Sequence, residues 1–153
     1  MRAAFWIKAF VSRYDGSEYK VFNCQSQHSR DYCICLLNSS LLFWWYWICV
    51  SDGWHITRKE LIGFKVPIIN GFSELYELAS NLENKLKRTK KYVGTKQTKY
   101  EYKHKKCADE IQQIDNYINT LYQLSDEENI YIKKFAYRYR IGEDANSELM
   151  NTP

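Results

Sequence analysis

Residues 36–61 read LLNSSLLFWWYWICVSDGWHITRKEL, the most apolar stretch of the chain, with five consecutive aromatic residues at 43–47. The wider segment 32–50 contains no charged residue, and its length approaches the roughly 20 residues that a membrane-spanning helix needs. However, the polar run Asn38, Ser39 and Ser40 stands near its middle, and the aromatics gather at one end rather than at both. The pattern therefore favours a buried aromatic helix in a soluble domain over a membrane span.

The N-terminal region of the chain predicts a β-hairpin. Asp15-Gly16 is a strong turn signal, because glycine accepts positive φ and aspartate tolerates it, and β-prone residues flank the pair. Asp15, Glu18 and Lys20 superficially resemble a nuclease motif. A metal-dependent nuclease needs its carboxylates on neighbouring elements that converge on the ion, so two intervening residues in a tight turn favour the simple hairpin.

The region after residue 70 is predicted to be helical. Leu75, Leu78, Leu82 and Leu86 form one apolar stripe on a helix over about 73–91. The residues Ile111, Ile114, Ile118 and Leu121 form a second stripe. Ser125 and Glu128 form a capping box that starts a last helix ending near Arg140. We therefore expect an α+β fold: a small mixed domain with an N-terminal β-hairpin and a buried aromatic helix, followed by a C-terminal helical hairpin or bundle.

The chain is predicted to divide at Asn70-Gly71, a candidate turn that follows the extended Val66-Pro67 pair. This gives a first subdomain over 1–70, a basic helical region over 71–142 and a flexible tail over 143–153. The five cysteines are irregularly spaced and the three histidines stand singly, so no zinc-ligand pattern is present. These features favour reduced thiols in a cytoplasmic protein, and exposed rather than metal-binding positions for His28 and His104.

The charge of the chain is concentrated in one block. The net charge is only +4, but residues 85–106 hold ten Lys/Arg and a single acid, Glu101, with Tyr92, Tyr100 and Tyr102 interleaved. Most charge runs are solvated faces. The lack of acids and the presence of aromatics also suit contact with nucleic-acid phosphates.

Three stretches of the chain carry a resemblance to a known family. LLNSSLLFWWYW followed by SDGWHITRKELIGFKVP resembles the recognition segment of TaqI-like C-terminal specificity domains, which occur in adenine-N6 DNA methyltransferases and type IIG restriction–modification enzymes. ADEIQQIDNYINTLYQLSDEENIYIKKFAYRYRIGE is similar to the helical end of the same proteins. Gln123 departs from the family, which often has glycine in that link. The sequence has no Pro-Pro methyltransferase motif and no glycine-rich loop for S-adenosylmethionine.

The resemblance implies a DNA-binding target-recognition module of a restriction–modification system. Such a module would position double-stranded DNA for adenine-N6 methylation or cleavage by catalytic domains absent from this chain, so the chain alone is not expected to be an enzyme. S-adenosylmethionine and Mg²⁺ would belong only to those missing domains, and a methyltransferase or nuclease polypeptide would be a further partner. A cytoplasmic location and no membrane partner are expected. The alternatives are a non-enzymatic protein-interaction module and, less favoured, a single-span membrane protein.

The candidate DNA-binding residues fall into two groups. The first group is the polar end of the opening stretch: Trp54, His55, Thr57, Arg58 and Lys59. The side chains of Trp54 and His55 could equally pack or cap locally. The second group is the basic block: Lys85, Lys87, Arg88, Lys90, Lys91, Lys96, Lys99, Lys103, Lys105 and Lys106. In the first group arginine is the side chain best suited to guanine edges, whereas lysine and threonine can contact bases or phosphates.

Overall fold

The structure is a computed structural model that describes residues 8–11, 20–50, 58–67, 73–95 and 99–140. The helices are α1 (Gln27–Asn38), α2 (Ser40–Trp45) continued by a π-helical turn (Tyr46–Val50), α3 (Arg58–Gly63), α4 (Ser73–Thr89), α5 (Ala108–Leu121) and α6 (Asp126–Arg140), with a short 3₁₀ helix (His104–Lys106). Two strands, β1 (Lys91–Tyr92) and β2 (Tyr100–Glu101), form an antiparallel pair between α4 and α5. The domain is therefore mostly helical, and the predicted mixed α+β class is wrong.

The strand signals near the N-terminus do not place a sheet in the described part of the chain. Residues 8–11 and 20–26 contain no strand, and the predicted turn at Asp15-Gly16 lies outside the described residues. The β-structure of the described residues forms instead inside the basic segment, where Gly94 follows β1 with a φ of +60° that glycine adopts without steric cost.

The apolar stretch forms two helices rather than the single helix that its composition predicts. Ser39 leaves the helical region with φ −75° and ψ 156°, and its hydroxyl accepts a hydrogen bond from the Leu42 N–H at 3.2 Å. A serine side chain that caps a new helix satisfies one of the first-turn amides. Within the described residues no single helix is long and apolar enough to cross a membrane. α1 and the α2–π segment meet the length and composition requirement only as a pair bent by 58°.

The predicted leucine and isoleucine stripes form the centre of the core. Leu75, Leu82, Ile111 and Ile114 have no exposed surface, and α4 packs against both α1 and α5 while α2 packs against α6. One hydrophobic cluster joins helices on both sides of residue 70. The two helical stripes are confirmed, and the proposed subdivision at residue 70 stays a prediction.

The aromatic run packs into this core as expected. Tyr46 is buried, whereas Trp44, Trp45 and Trp47 are half-buried against the cluster. The Trp45 ring meets Phe64 edge-on at 4.8 Å between centroids. This edge-to-face arrangement is one that aromatic pairs prefer, and it holds the segment after α3 against the end of α2.

The last helix begins where the sequence predicts. The Ser125 hydroxyl accepts a hydrogen bond from the Glu128 N–H at 3.2 Å, and a Glu128 carboxylate oxygen accepts one from the Ser125 N–H at 2.8 Å. This reciprocal pair is the capping box. α6 then continues to Arg140, and the predicted tail over 143–153 lies outside the described residues.

A buried polar network joins the break between α1 and α2 to the C-terminal helices. The carboxylate of Asp115 accepts hydrogen bonds from the Ser40 N–H and hydroxyl, both at 2.6 Å, and from the Tyr137 hydroxyl at 3.2 Å. The Arg140 guanidinium donates to the Ser40 hydroxyl at 3.2 Å and to the carbonyl oxygen of Asn38. Burial raises the pKa of Asp115, while the charge of Arg140 and the hydrogen bonds from Ser40 oppose that rise.

His104 belongs to the same interior, although the sequence predicts an exposed histidine. It is 3% exposed, and its Nε2 lies 3.3 Å from Oδ1 of Asn38. Asn38 also donates to the carbonyl oxygens of Ala9 at 3.2 Å and Ile34 at 2.8 Å. Burial, followed by the charges of Arg140 and Lys8, holds the pKa of His104 well below its usual range. His104 is therefore a neutral structural residue in a mostly basic segment.

Candidate nucleic-acid interface

The basic segment folds as a hairpin held between α4 and α5. Lys91 pairs with Glu101 and Tyr92 with Tyr100, and the Lys99 carbonyl oxygen accepts a hydrogen bond from the Val93 N–H at 2.9 Å. The hairpin follows α4 directly, and the 3₁₀ helix that comes after it contacts α4. The end of α4, the hairpin and the 3₁₀ helix are thus neighbours in space.

The three tyrosines of the segment occupy different environments. Tyr92 is 68% exposed, and its ring lies 5.7 Å from that of Tyr100 in an edge-on arrangement. The Lys90 ammonium sits 4.1 Å from the centre of the Tyr100 ring, a cation–π distance. Tyr102 is buried and packs against Phe10 with ring centroids 4.7 Å apart. Tyr92 is therefore a surface residue, Tyr100 is half-buried, and Tyr102 anchors the segment to the core.

Three of the predicted basic residues are engaged by acids. Lys85 lies 3.5 Å from Glu110, Lys87 2.6 Å from Glu83, and Lys103 3.4 Å from Glu101. Such ion pairs reduce the field that these lysines present to a ligand.

The other basic residues form the candidate interface. Six of them are exposed and have no described carboxylate oxygen within 4 Å: Arg88, Lys90, Lys91, Lys99, Lys105 and Lys106. Lys96 lies outside the described residues. We call these six cations the basic surface.

The side chains of the first predicted group lie outside what the structure describes. Trp54, His55 and Thr57 lie outside the described residues. Arg58 and Lys59 occupy the first turn of α3, where the backbone but not the side chains is described. The basic block, apart from Lys96, is the part of the predicted site whose side chains the structure describes.

A polar groove that was not predicted from the sequence lies beside the basic surface. The groove has a volume of about 490 Å³ and is lined by Asn81, Asn84, Lys87, Arg88, Glu110 and Gln113. Asn81, Asn84 and Arg88 follow each other at helical spacing on α4, and Glu110 and Gln113 do so on α5. Residues three or four apart share a helix face. The helical spacing of these polar residues, on the face of α4 away from the leucine stripe, is the signal in the sequence that indicates the groove.

Cysteines and metal ligands contribute no second site in the part of the chain that the structure describes. The described residues hold no group of three or more His, Cys, Asp or Glu side chains placed to bind a metal. The five thiols are free. Burial raises the pKa of Cys35 to about 12 and that of Cys107 to about 11. These two thiols are poor nucleophiles, because the thiolate is the reactive form.

No family model, curated protein or solved structure matches the chain.

Proposed function

We propose that this protein binds double-stranded DNA through the basic surface. The observation that supports the proposal is the set of six exposed cations, free of described acid partners, on the end of α4, the hairpin and the 3₁₀ helix. Duplex DNA carries one negative charge per about 1.7 Å of its axis, and cations that neutralise phosphates release condensed counterions. A surface of this kind therefore gains affinity from any duplex backbone.

The hairpin is well suited to approach a duplex. A two-stranded ribbon fits the major groove of B-DNA, and the exposed strand β1 carries Lys91 and Tyr92 next to each other. Phosphate contacts fix register and orientation, whereas sequence is read by contacts to base edges. The basic surface therefore supplies position on the duplex, and any sequence preference must come from neighbouring side chains.

The wider role that we propose is target recognition within a cytoplasmic restriction–modification system. The support is the resemblance of the aromatic stretch and the C-terminal helices to TaqI-like specificity domains. Methylation or cleavage would then be carried out by another domain or polypeptide, which would hold S-adenosylmethionine or Mg²⁺. The purified chain should show neither activity on DNA when both cofactors are supplied.

A salt titration tests DNA binding directly. Fluorescence anisotropy of a labelled 20-base-pair duplex of mixed sequence, measured from 50 to 200 mM salt, gives the slope of log K against log salt. Each neutralised phosphate contributes about −0.9 to this slope, so contacts from four to six cations predict a slope of about −4 to −5. No measurable binding at 50 mM salt would contradict the proposal and favour the protein-interaction alternative.

Paired lysine variants show whether the basic surface is responsible. The double variant Lys91→Gln, Lys99→Gln should weaken binding and reduce the slope by about 2, because two phosphate contacts are lost. Lys65→Gln, Lys134→Gln removes the same charge from exposed positions outside the segment. Equal losses in the two double variants would indicate a general charge effect and would rule out this surface as the binding site.

A further inference from the structure

The groove between α4 and α5 lies beside the basic surface, and the role we assign to it rests on the proposed DNA binding. We propose that it receives a single unpaired nucleobase from the DNA held on the adjacent basic surface. The ligand class is thus an unstacked base with its flanking phosphates, and the groove is the part of the protein that discriminates between DNA structures.

The dimensions and position of the groove fit this ligand. Its volume of about 490 Å³ lies within the range of about 300–1,000 Å³ typical of small-molecule sites. Arg88 belongs both to the groove lining and to the basic surface. Arg88 is therefore placed to bind the phosphate of a nucleotide whose base enters the groove.

The chemistry of the lining matches the edges of bases. Asn81, Asn84 and Gln113 each offer a carbonyl acceptor and an amide donor, and asparagine or glutamine can contact a base through both at once. These residues are the common base-reading side chains, gathered in one concave site.

Glu110 provides an independent indication of a missing donor. Its Oε2 is buried and accepts no hydrogen bond from the described residues, while its Oε1 lies 3.5 Å from the Lys85 ammonium. A buried acceptor left without a donor carries a desolvation cost of about 1–3 kcal/mol. If the Glu110 carboxylate turns toward the groove, it can accept from an exocyclic amino group of adenine, cytosine or guanine, as carboxylates do from cytosine N4.

The concave shape indicates an unpaired base rather than a paired one. A base within a duplex shows only its edge in a groove of the DNA, and it reaches a pocket only when it leaves the stack. Leaving the stack costs a few kcal/mol for a paired base and least for a mismatched or unpaired one. The groove should therefore favour DNA in which that cost has already been removed.

The test compares two 20-base-pair duplexes of the same sequence, one fully paired and one with a single adenine opposite an abasic position. Anisotropy competition at fixed salt should show about tenfold tighter binding of the second duplex, the size of one good base contact. The double variant Asn84→Ala, Gln113→Ala should lose this preference and keep the affinity for the paired duplex. Gln112→Ala, an exposed carboxamide on α5 outside the groove lining, is the control and should keep the preference.

The outcomes separate the groove from the basic surface. Equal affinity for the two duplexes, or a preference that survives in the double variant, overturns the groove proposal and leaves DNA binding intact. No binding of either duplex at low salt overturns both proposals. Circular dichroism of each variant checks that the fold is retained, as expected for substitutions at exposed positions.

Discussion

The carboxylate of Asp115 accepts hydrogen bonds from both the backbone N–H and the hydroxyl of Ser40, each at 2.6 Å, across 75 positions of sequence. Ser40 is the first residue of α2, whose opening amides have no partner within the helix. A side chain from α5 thus completes the start of another helix. The contact stabilises the break in the apolar stretch, because Asp115 accepts from an amide that the break leaves without a partner inside the helix.

Replacing Asp115 by asparagine should destabilise the fold by about 3 kcal/mol, because the buried Arg140 loses its counter-charge and one acceptor becomes a donor. Tyr137 adds to the loss, since its hydroxyl also donates to this carboxylate. Urea unfolding of Asp115→Asn against the unchanged protein measures the effect. Asp109→Asn, at an exposed position on the same helix, should change the unfolding free energy by less than about 0.5 kcal/mol.

The cap at the helix break should be worth more than the cap at the start of α1. Ser39→Ala removes the acceptor for the Leu42 N–H in a buried site, so we expect a loss of about 1–2 kcal/mol. Ser26→Ala removes the equivalent bond to the Ser29 N–H at an exposed site, where water replaces it and the loss should be about 0.5 kcal/mol. Thermal unfolding of both variants provides the comparison, and equal losses would show that burial adds nothing to the cap.

The free energy of unfolding should depend on pH through His104. Because burial and the nearby charges of Arg140 and Lys8 depress its pKa, the folded state disfavours the protonated ring. The part of the unfolding free energy that depends on neutral His104 is fully present above the ordinary histidine pKa of 6.5. It is lost as the pH falls below that value toward the pKa of His104 in the folded state. Within this window the loss is about 1.4 kcal/mol per pH unit.

The variant His104→Gln identifies the source of that pH dependence. Glutamine can still hydrogen-bond to Asn38 but does not titrate. Between pH 6.5 and 5 the unfolding free energy of the variant should therefore fall less steeply than that of the unchanged protein, by about 1.4 kcal/mol per pH unit. His28→Gln, at an exposed position, is the matched control. An unchanged slope in His104→Gln would show that other groups take up the proton.

A change at Gly94 should weaken DNA binding without removing any charge. Gly94 has a φ of +60°, and an added Cβ would lie 3.0 Å from the Tyr92 hydroxyl oxygen and 3.1 Å from its ring. Gly94→Ala should therefore cost the hairpin about 1 kcal/mol and displace Tyr92, with a several-fold loss of affinity for duplex DNA. Thermal unfolding of the domain should change little, because the hairpin is exposed. Affinity equal to that of the unchanged protein would indicate that the turn geometry has no role in binding.

The helices that bury one regular face were predictable from the sequence. Leu82 and Ile114 recur with their neighbours at helical spacing, and the periodicity alone identifies the buried side. The break at Ser39 was not predicted, since its serine cap competes with an apolar composition that favours one continuous helix. The predicted α+β class was wrong for a related reason. It rested on local turn and strand signals near Asp15, whereas the described sheet lies within the charged segment.

The position of the basic surface in the sequence was predictable from charge. Which residues of the segment are exposed, paired with acids or buried was not. Lys87 and Lys103 are paired with acids, and His104 and Tyr102 are buried, although all four stand in a segment that looks uniformly exposed. Exposure depends on contacts with α1, α4 and the N-terminal segment, which sequence spacing does not encode.

The connection between α4 and α5 spans residues 90–107, whereas neighbouring helices in bundles are commonly joined by about 2–8 residues. Its buried hydrophobic residues, Tyr102 and Cys107, stand in its later part, and Tyr100 packs half-buried against the same core. Strand β1 at its other end is exposed, so substitutions there do not change the packing of the helices. The charge and shape of this surface can therefore be altered while the helical core stays the same.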